Sequence, residues 1–221
     1  NDGVSASVEG GSFGSFGAQG RVQTAFETGK WTHAYSVSGG YKRSDGGTDN
    51  SDFEKGQGYG NLSLSYDQRF DIIAQLGIAT QSYGANTFYS AKYNNQYEKT
   101  DHGMASLNLS LHNQEKTWEI APQFYYNKFR DHYQLIRGMA GAKAGENYHD
   151  LDVYGGGLNA NVAWALGKTA VGFDISKECI YSTALGEELA EKDYKDISGS
   201  DRQYTRKGER TNTNIMLEHN F

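Results

Sequence analysis

The sequence of 221 residues has one proline and one cysteine, Cys179. A single cysteine cannot form an internal disulfide, so no disulfide framework supports the fold. No segment approaches the ~18 consecutive apolar residues of a membrane-spanning helix, and the mean hydropathy is −0.73. Hydropathy alone therefore places the chain among water-soluble proteins, and any membrane function has to come from strands.

Positive charge is not in excess either. The formal net charge is −6 at pH 7, so the basic footprint of a nucleic-acid-binding protein is missing. The chain has no phosphate-binding glycine loop, no zinc-ligand spacing and no G-x-S-x-G nucleophile motif. These absences predict a protein that is not an enzyme, requires no cofactor and does not bind nucleic acid.

The chain is rich in glycine and tyrosine, and its apolar and polar residues alternate. It contains 28 glycines and 16 tyrosines, and apolar and polar residues alternate along much of its length. A period of two is typical of a strand whose two faces meet different surroundings. The alternating segments are 3–10, 18–26, 31–42, 61–66, 70–78, 105–111, 118–126, 158–164, 169–175 and 213–221. This pattern predicts one all-β domain over residues 1–221, with about ten strands. The strand pair around the turn near 112–116 is expected to run from about 95 to about 137, longer than a soluble sheet needs.

The connections between these segments alternate in length. Short turns fall near 27–30, 67–69, 112–116 and 166–168. Long polar segments fall near 43–57, 84–95, 138–149 and 183–208, and only the first connection, 11–15, breaks the rule. Outer-membrane barrels have short periplasmic turns and longer extracellular loops. The rhythm predicts an antiparallel, up-and-down transmembrane β-barrel or barrel segment in the bacterial outer membrane.

The aromatic residues support the same prediction. All three tryptophans lie on the apolar face and close to short turns, as do several other aromatic residues. The set is Trp31, Trp118, Trp164, Phe26, Tyr66, Phe70 and Phe221. Such a row is typical of the girdle at a membrane interface. A soluble β-sandwich or solenoid would also show alternation, but it explains neither the loop lengths nor the one-sided tryptophans.

Two long connections carry candidate binding residues. The first has four carboxylates within ten residues, at Asp45, Asp49, Asp52 and Glu54. Calcium prefers six to eight oxygen ligands, so this loop is a candidate calcium site, although a solvated acidic loop is the simpler interpretation. The second has an aromatic and amide cluster at Tyr83, Asn86, Tyr89, Tyr93 and Asn95. Such side chains offer flat contact area and hydrogen bonds to a large polar ligand, or they pack against one another at a barrel rim.

Three segments resemble the barrel of TonB-dependent outer-membrane receptors. Residues 4–16, VSASVEGGSFGSF, resemble the first barrel hairpin after the plug domain of that family. Residues 39–46, GGYKRSDG, resemble the end of the next strand as it enters an extracellular loop. The most specific match is 83–90, YGANTFYS, with 95–100, NQYEKT. The chain is most similar to the vitamin B12 (cobalamin) receptor-like group of Bacteroidetes.

The resemblance implies a receptor and transporter for a large, scarce nutrient of the cobalamin or metal-chelate type. It implies outer-membrane lipid, a plug domain, the TonB system and a surface lipoprotein as partners, and calcium in an extracellular loop. The family's barrel has about twice this number of strands and an N-terminal plug. The chain is therefore expected to be either part of a larger barrel or a complete small barrel.

Two alternatives to the receptor remain open at this stage. A small plug-free barrel would have a structural or passive pore function, but about ten strands leave little lumen. A protease with an active site at the barrel rim would use Asp and His, and 131–132 and 149–150 are the Asp–His neighbours available. Because neighbouring residues of a strand point to opposite faces, one member of each pair is expected to face away from the other.

Overall fold

The structure is a computed structural model that describes residues 2–221. Ten long strands account for most of it. They are β1 (Gly3–Gly10), β2 (Phe16–Thr28), β3 (Trp31–Ser44), β4 (Phe53–Tyr66), β5 (Phe70–Gly84), β6 (Tyr97–His112), β7 (Trp118–Gln134), β8 (Glu146–Trp164), β9 (Gly167–Ser182) and β13 (Arg206–Asn220). Three two-residue strands lie between β9 and β13: β10 (Glu187–Glu188), β11 (Lys195–Asp196) and β12 (Gln203–Tyr204). Short 3₁₀ helices cover Ala142–Ala144 and Glu191–Asp193.

Each long strand pairs antiparallel with the next, which confirms the predicted up-and-down meander of about ten strands. The order in the main sheet is β1 to β9, then β13, with β10 added at one end of β13. Within residues 2–221, β1 and β13 do not pair with each other, so the sheet is open and has two free edges. No helix in this part of the chain is both long and apolar enough to cross a membrane.

The strand register places the predicted apolar residues on one continuous face. Directly paired residues share a face of a sheet. Leu62 pairs with Tyr35 on one side and Ala74 on the other, and Ala74 pairs with Leu107. The same register continues to the last strand, and none of these residues is buried. The apolar side chains therefore form an outer surface and not a closed interior.

The polar face is concave. Its side chains are generally less exposed than the apolar ones that alternate with them, as expected when a curved sheet brings one set together. Tyr125 on β7 reaches across β8 and donates a hydrogen bond to Asp174 on β9 at 3.3 Å. A side chain at Gly155 would collide with the Tyr125 ring, since its Cβ would lie 2.6 Å away. Glycine on β8 thus makes this convergence possible.

The molecule has almost no buried apolar core. Among residues 2–221, the buried apolar residues are Ala85, Ile197 and Tyr204, and all three lie at the end of the sheet where the long loops are. Burial of apolar surface is the main favourable contribution to folding in water. The sheet instead turns a large apolar surface outward, far beyond the scattered apolar residues of an ordinary soluble surface.

The connections confirm the predicted alternation of length. Those at one end of the sheet are short, at 29–30, 67–69, 113–117 and 165–166. Those at the other end are mostly long, at 45–52, 85–96, 135–145 and 183–205, together with the short 11–15. Most strands extend several residues further toward the long loops than the alternation predicted. β8, for example, begins at Glu146 and not near residue 158.

Three zones divide the convex face along the strands. Aromatic residues lie at the short-turn end, where the Trp31 and Tyr66 rings are 4.9 Å apart. Ion pairs lie toward the long loops, as between Lys128 and Asp152 at 2.8 Å. The apolar band lies between these zones. On β8 the band together with the aromatic zone runs from Trp164 to Tyr154, about 33 Å along the strand at ~3.3 Å per residue.

Candidate functional site

Three long loops interlock at one end of the sheet; we call 45–52, 85–96 and 135–145 together the loop cap. Asn50 donates from Nδ2 to the backbone oxygen of Gln96 at 2.6 Å. Arg137 binds Asp52 through both terminal nitrogens, at 2.6 and 2.9 Å. Its backbone N–H donates to the Asn95 oxygen at 2.7 Å. These contacts tie each loop to the other two and fix the shape of the cap.

A buried glutamine lies at the centre of the loop cap. Gln96 is fully buried, and its Nε2 donates to the backbone oxygens of Tyr93 at 2.7 Å and Ser90 at 3.1 Å. Its Oε1 accepts a hydrogen bond from the Tyr133 hydroxyl on β7 at 2.9 Å. All the polar atoms of this amide are therefore matched, as a buried polar group requires, and the loop 85–96 is held against the sheet.

Two of the predicted ligand residues meet beneath the loops. The hydroxyls of Tyr83 and Tyr89 lie 3.2 Å apart, and both donate to Oε2 of Glu98. Burial and the Glu98 carboxylate raise the pKa of Tyr83, and they also raise the pKa of Tyr89. Both hydroxyls thus stay protonated as donors. The Tyr89 ring meets the Tyr133 ring edge-on at 5.3 Å, which leaves much of Tyr89 facing outward.

The other predicted ligand residues are spread over the loop cap. Tyr83 and Asn86 line an open cleft of about 560 Å³, together with Phe88, whose side chain is 75% exposed. The Asn86 side chain also donates to the backbone oxygen of Asp49 at 2.8 Å. Tyr93 and Asn95 do not line this cleft. Their backbone oxygens accept hydrogen bonds from the Gln96 side chain and the Arg137 N–H. The structure therefore brings Tyr83, Asn86 and Tyr89 to one region and leaves the other two outside it.

The four carboxylates of the predicted calcium loop do not converge. Asp45 pairs with Arg43 at 2.7 Å, Asp52 with Arg137 at 2.6 Å, Glu54 accepts the Tyr41 hydroxyl at 2.9 Å, and Asp49 is exposed. The hydrogen bonds from Arg137 lower the pKa of Asp52. In the described part of the chain, no three His, Cys, Asp or Glu side chains are arranged to hold a metal ion. Calcium binding stays a prediction, and it would need this loop to rearrange.

A row of polar residues crosses the concave face below the cap. Asp131, His149 and Ser182 are consecutive cross-strand partners on β7, β8 and β9. The Ser182 hydroxyl accepts hydrogen bonds from the backbone N–H groups of Ala184 and Leu185, at 2.8 and 2.7 Å. Its own proton therefore goes to Nδ1 of His149, at 2.8 Å, and burial lowers the pKa of that histidine.

Asp131 has the least favourable environment of these three residues. Burial raises the pKa of Asp131 to about 7, and the nearby Glu98 carboxylate adds to the effect. Its Oδ1 atom is buried and has no hydrogen-bond partner among the described residues. An ionised carboxylate in this position is costly because burial removes much of its solvation and no cation pairs with it among the described residues, although backbone N–H groups of His149 and Asp131 offset part of the cost.

The Asp–His neighbours considered for a rim protease are split between the two faces, as expected. His132 lies on the convex face, where Nε2 is 2.8 Å from Glu146 and the ring stacks on Tyr148 at 4.1 Å. Asp150 is also on that face, beside Arg130 at 3.3 Å. On the concave face the hydroxyl nearest to His149 belongs to Ser182, which is fully buried. These residues form structural hydrogen bonds and offer no exposed nucleophile.

Comparison of the chain with protein-family models and with curated proteins gives no match. What the fold defines is a class: an open antiparallel meander with an apolar convex face, a polar concave face and one end closed by interlocked loops. Sequence reasoning missed Arg137 in the loop cap and Tyr133 on β7, which binds Gln96 beneath the cap. The expected strand pair from about 95 to about 137 would bring Tyr133 opposite Glu98, as the register does, and is the signal that could have found it.

Proposed function

We propose that the chain forms part of the β-barrel of a bacterial outer-membrane receptor for a large, scarce nutrient such as a cobalamin or a metal chelate. The observation that carries the proposal is the continuous apolar band on the convex face. At the ~40° tilt of barrel strands its length along β8 would correspond to a height of about 25 Å, that of the apolar band of outer-membrane barrels. In water such a surface would aggregate, whereas lipid would cover it.

Lipid does not tolerate unpaired strand edges. The free edges of β1 and β13 therefore call for further strands, and the proposal is that this sheet is a segment of a larger closed barrel. The polar concave face would then line the interior, where side chains such as Asn159 and Gln123 face a lumen or a plug domain. Only the family resemblance supports the remaining parts of the proposal, which are a plug, the TonB system, a surface lipoprotein and a calcium-ordered loop.

The loop cap supports a receptor more than a plain pore. It is fixed by buried hydrogen bonds, and it presents Phe88 and Tyr89 beside an open cleft. Rigid aromatic side chains provide large contact areas at low entropic cost. A passive pore has no need of such a surface, so a bulky ligand is the better match to this end of the sheet.

The test is a binding titration of the purified full chain in neutral detergent with cyanocobalamin, with and without calcium. We expect micromolar or tighter binding, weakened about tenfold by Tyr89→Ala, since an aromatic side chain at the centre of an interface is worth more than ~1 kcal/mol. Tyr154→Ala on the convex face is the matched control and should leave the affinity unchanged. No binding in either condition would reject cobalamin as the ligand, and equal effects of the two substitutions would reject the loop cap as its site.

A further inference from the structure

A second concavity lies on the strands and not on the loops. A cavity of about 660 Å³ opens on the concave face of β1 to β6. Its polar lining includes Gln19, Arg21, Ser38, Gln57 and Tyr59. A smaller cavity of about 240 Å³ adjoins it and shares Gln19 and Gln57 with it. The larger volume falls in the range of sites for small molecules.

Three polar side chains of this cavity have no hydrogen-bond or ion-pair partner among the described residues. Among residues 2–221, the side chains of Gln19, Arg21 and Gln57 make no hydrogen bond or ion pair with another side chain or with the backbone. Across the same face, on β5 to β13, polar side chains bind one another: Ser106 with Gln75, Ser110 and Asn161 with Glu119, Tyr125 with Asp174, and Asn212 with Glu178. On β5 to β13 the polar side chains of the concave face thus bind one another, whereas the donors of Gln19, Arg21 and Gln57 remain available to a ligand.

The charges of the two halves also differ. On the concave side, β1 to β4 carry Arg21, Lys42 and Lys55 against Glu9 and Glu27. On β5 to β9 and β13 that side carries Asp71, Glu98, Glu119, Asp131, Asp174, Glu178 and Glu218 against Lys168, Arg206 and Arg210. The two cavities therefore lie in the basic half of the concave face, while the other half is acidic. The basic half attracts anions.

Two lysines in this half are held in an unfavourable arrangement. Lys42 and Lys55 are direct cross-strand partners, and like charges in that position destabilise a sheet. Glu9 neutralises Lys42 at 2.7 Å, while Lys55 has no ion-pair partner in the described chain. Together with Arg21, this leaves an excess of positive charge at the two cavities that an anion would relieve.

We propose that the cavity on β1 to β6 binds a small, hydroxyl-bearing phosphate ester. The Arg21 guanidinium would take the phosphate, because its planar fork suits two oxygens of that group. The amides of Gln19 and Gln57 and the Ser38 hydroxyl would bind the hydroxyls. The site shares no residue with the loop cap, so it goes beyond the nutrient binding proposed above.

The probe is glucose 6-phosphate, with glucose as the matched ligand that lacks only the phosphate. Binding to the purified full chain in neutral detergent is measured by isothermal titration calorimetry at low and at high salt. We expect glucose 6-phosphate to bind at least tenfold more tightly than glucose, since charge-assisted hydrogen bonds contribute ~1.5–3 kcal/mol. The advantage should shrink at high salt because the site is open to solvent.

The decisive variant is Arg21→Gln, which removes the charge from an exposed position and so should not disturb folding. It should lose about tenfold in affinity for glucose 6-phosphate and none for glucose. The control is Arg210→Gln on the same face, where the arginine is already bound to Glu178 at 2.7 Å. Equal binding of the two sugars, or equal losses in the two variants, would overturn the proposal. Neither result depends on cobalamin binding, so the two proposals fail separately.

Discussion

Asp131→Asn is expected to stabilise the protein, and to do so only where the native carboxyl would be ionised. The native group combines burial, the neighbouring Glu98 charge and an unpartnered Oδ1 atom. Asparagine has the same shape and retains a carbonyl oxygen. It removes the negative charge, which destabilises the folded protein at this position.

The magnitude follows from the pKa. In the folded protein the pKa of Asp131 is about 7, against a reference value of 3.8, and each unit is equivalent to about 1.4 kcal/mol. The full shift of about three units corresponds to ~4 kcal/mol, which solvent screening at this partly exposed site reduces to about 2 kcal/mol.

The sign follows from proton binding. Below about pH 3 both states hold the proton and the penalty is absent. Between pH 4 and 7 the unfolded chain releases the proton first, so the native protein loses stability as the pH rises. Above pH 7 the penalty is complete.

Asp131→Asn should therefore exceed the native protein by about 2 kcal/mol at pH 8 and differ little at pH 3. The measurement is urea unfolding in neutral detergent, followed by tryptophan fluorescence at both pH values. Asp49→Asn, at an exposed loop position, is the control and should change stability by less than ~0.5 kcal/mol at either pH. A gain of the same size at both pH values, or a loss at pH 8, would refute the reasoning.

Two further substitutions test the loop cap and the apolar band. Arg137→Gln removes the two hydrogen bonds to Asp52, so we expect proteolysis within the loop cap to accelerate about fivefold, equivalent to ~1 kcal/mol. Arg43→Gln is the control and should leave that rate unchanged, because the ion pair of Arg43 with Asp45 joins no two loops of the cap. Leu158→Arg places a charge in the middle of the band and should cost ~2–4 kcal/mol of stability in lipid bilayers; Asn159→Arg, on the concave face, should cost little, and equal costs would argue against a lipid-facing convex surface.

The alternation of residues was enough to predict the meander, the two faces and the order of short and long connections. It did not mark the ends of most strands next to the long loops, although the pair expected from about 95 to about 137 is confirmed by β6 and β7. There the convex positions of β4 are Gly56 and Gly58, and those of β8 are Asp150 and Asp152. The backbone continues as a strand because pairing with its neighbours persists, but the apolar signal disappears once the side chains leave the band.

The candidate site was less predictable for a different reason. Acidic, aromatic and amide residues are visible in the sequence, but their partners come from distant loops. Arg137 and Asp52 are 85 positions apart, and only the strand register brings them together. Burial of Gln96 likewise depends on Tyr133, which is 37 positions away and reaches it from β7. Local composition therefore suggested Asp52 as a metal ligand, whereas its two oxygens are bound to an arginine.

Accessibility of the two ends of the sheet in intact cells tests the central claim most directly. In a Cys179→Ser background, Asp49→Cys, Ala142→Cys and Glu188→Cys each place a thiol in a long connection, and Glu115→Cys places one in a short turn. A membrane-impermeant thiol reagent should label the first three in intact cells, and the fourth only after the outer membrane is broken. Labelling of the short turn alone in intact cells would contradict the proposed orientation. Equal labelling of all four in the soluble fraction would contradict the membrane location.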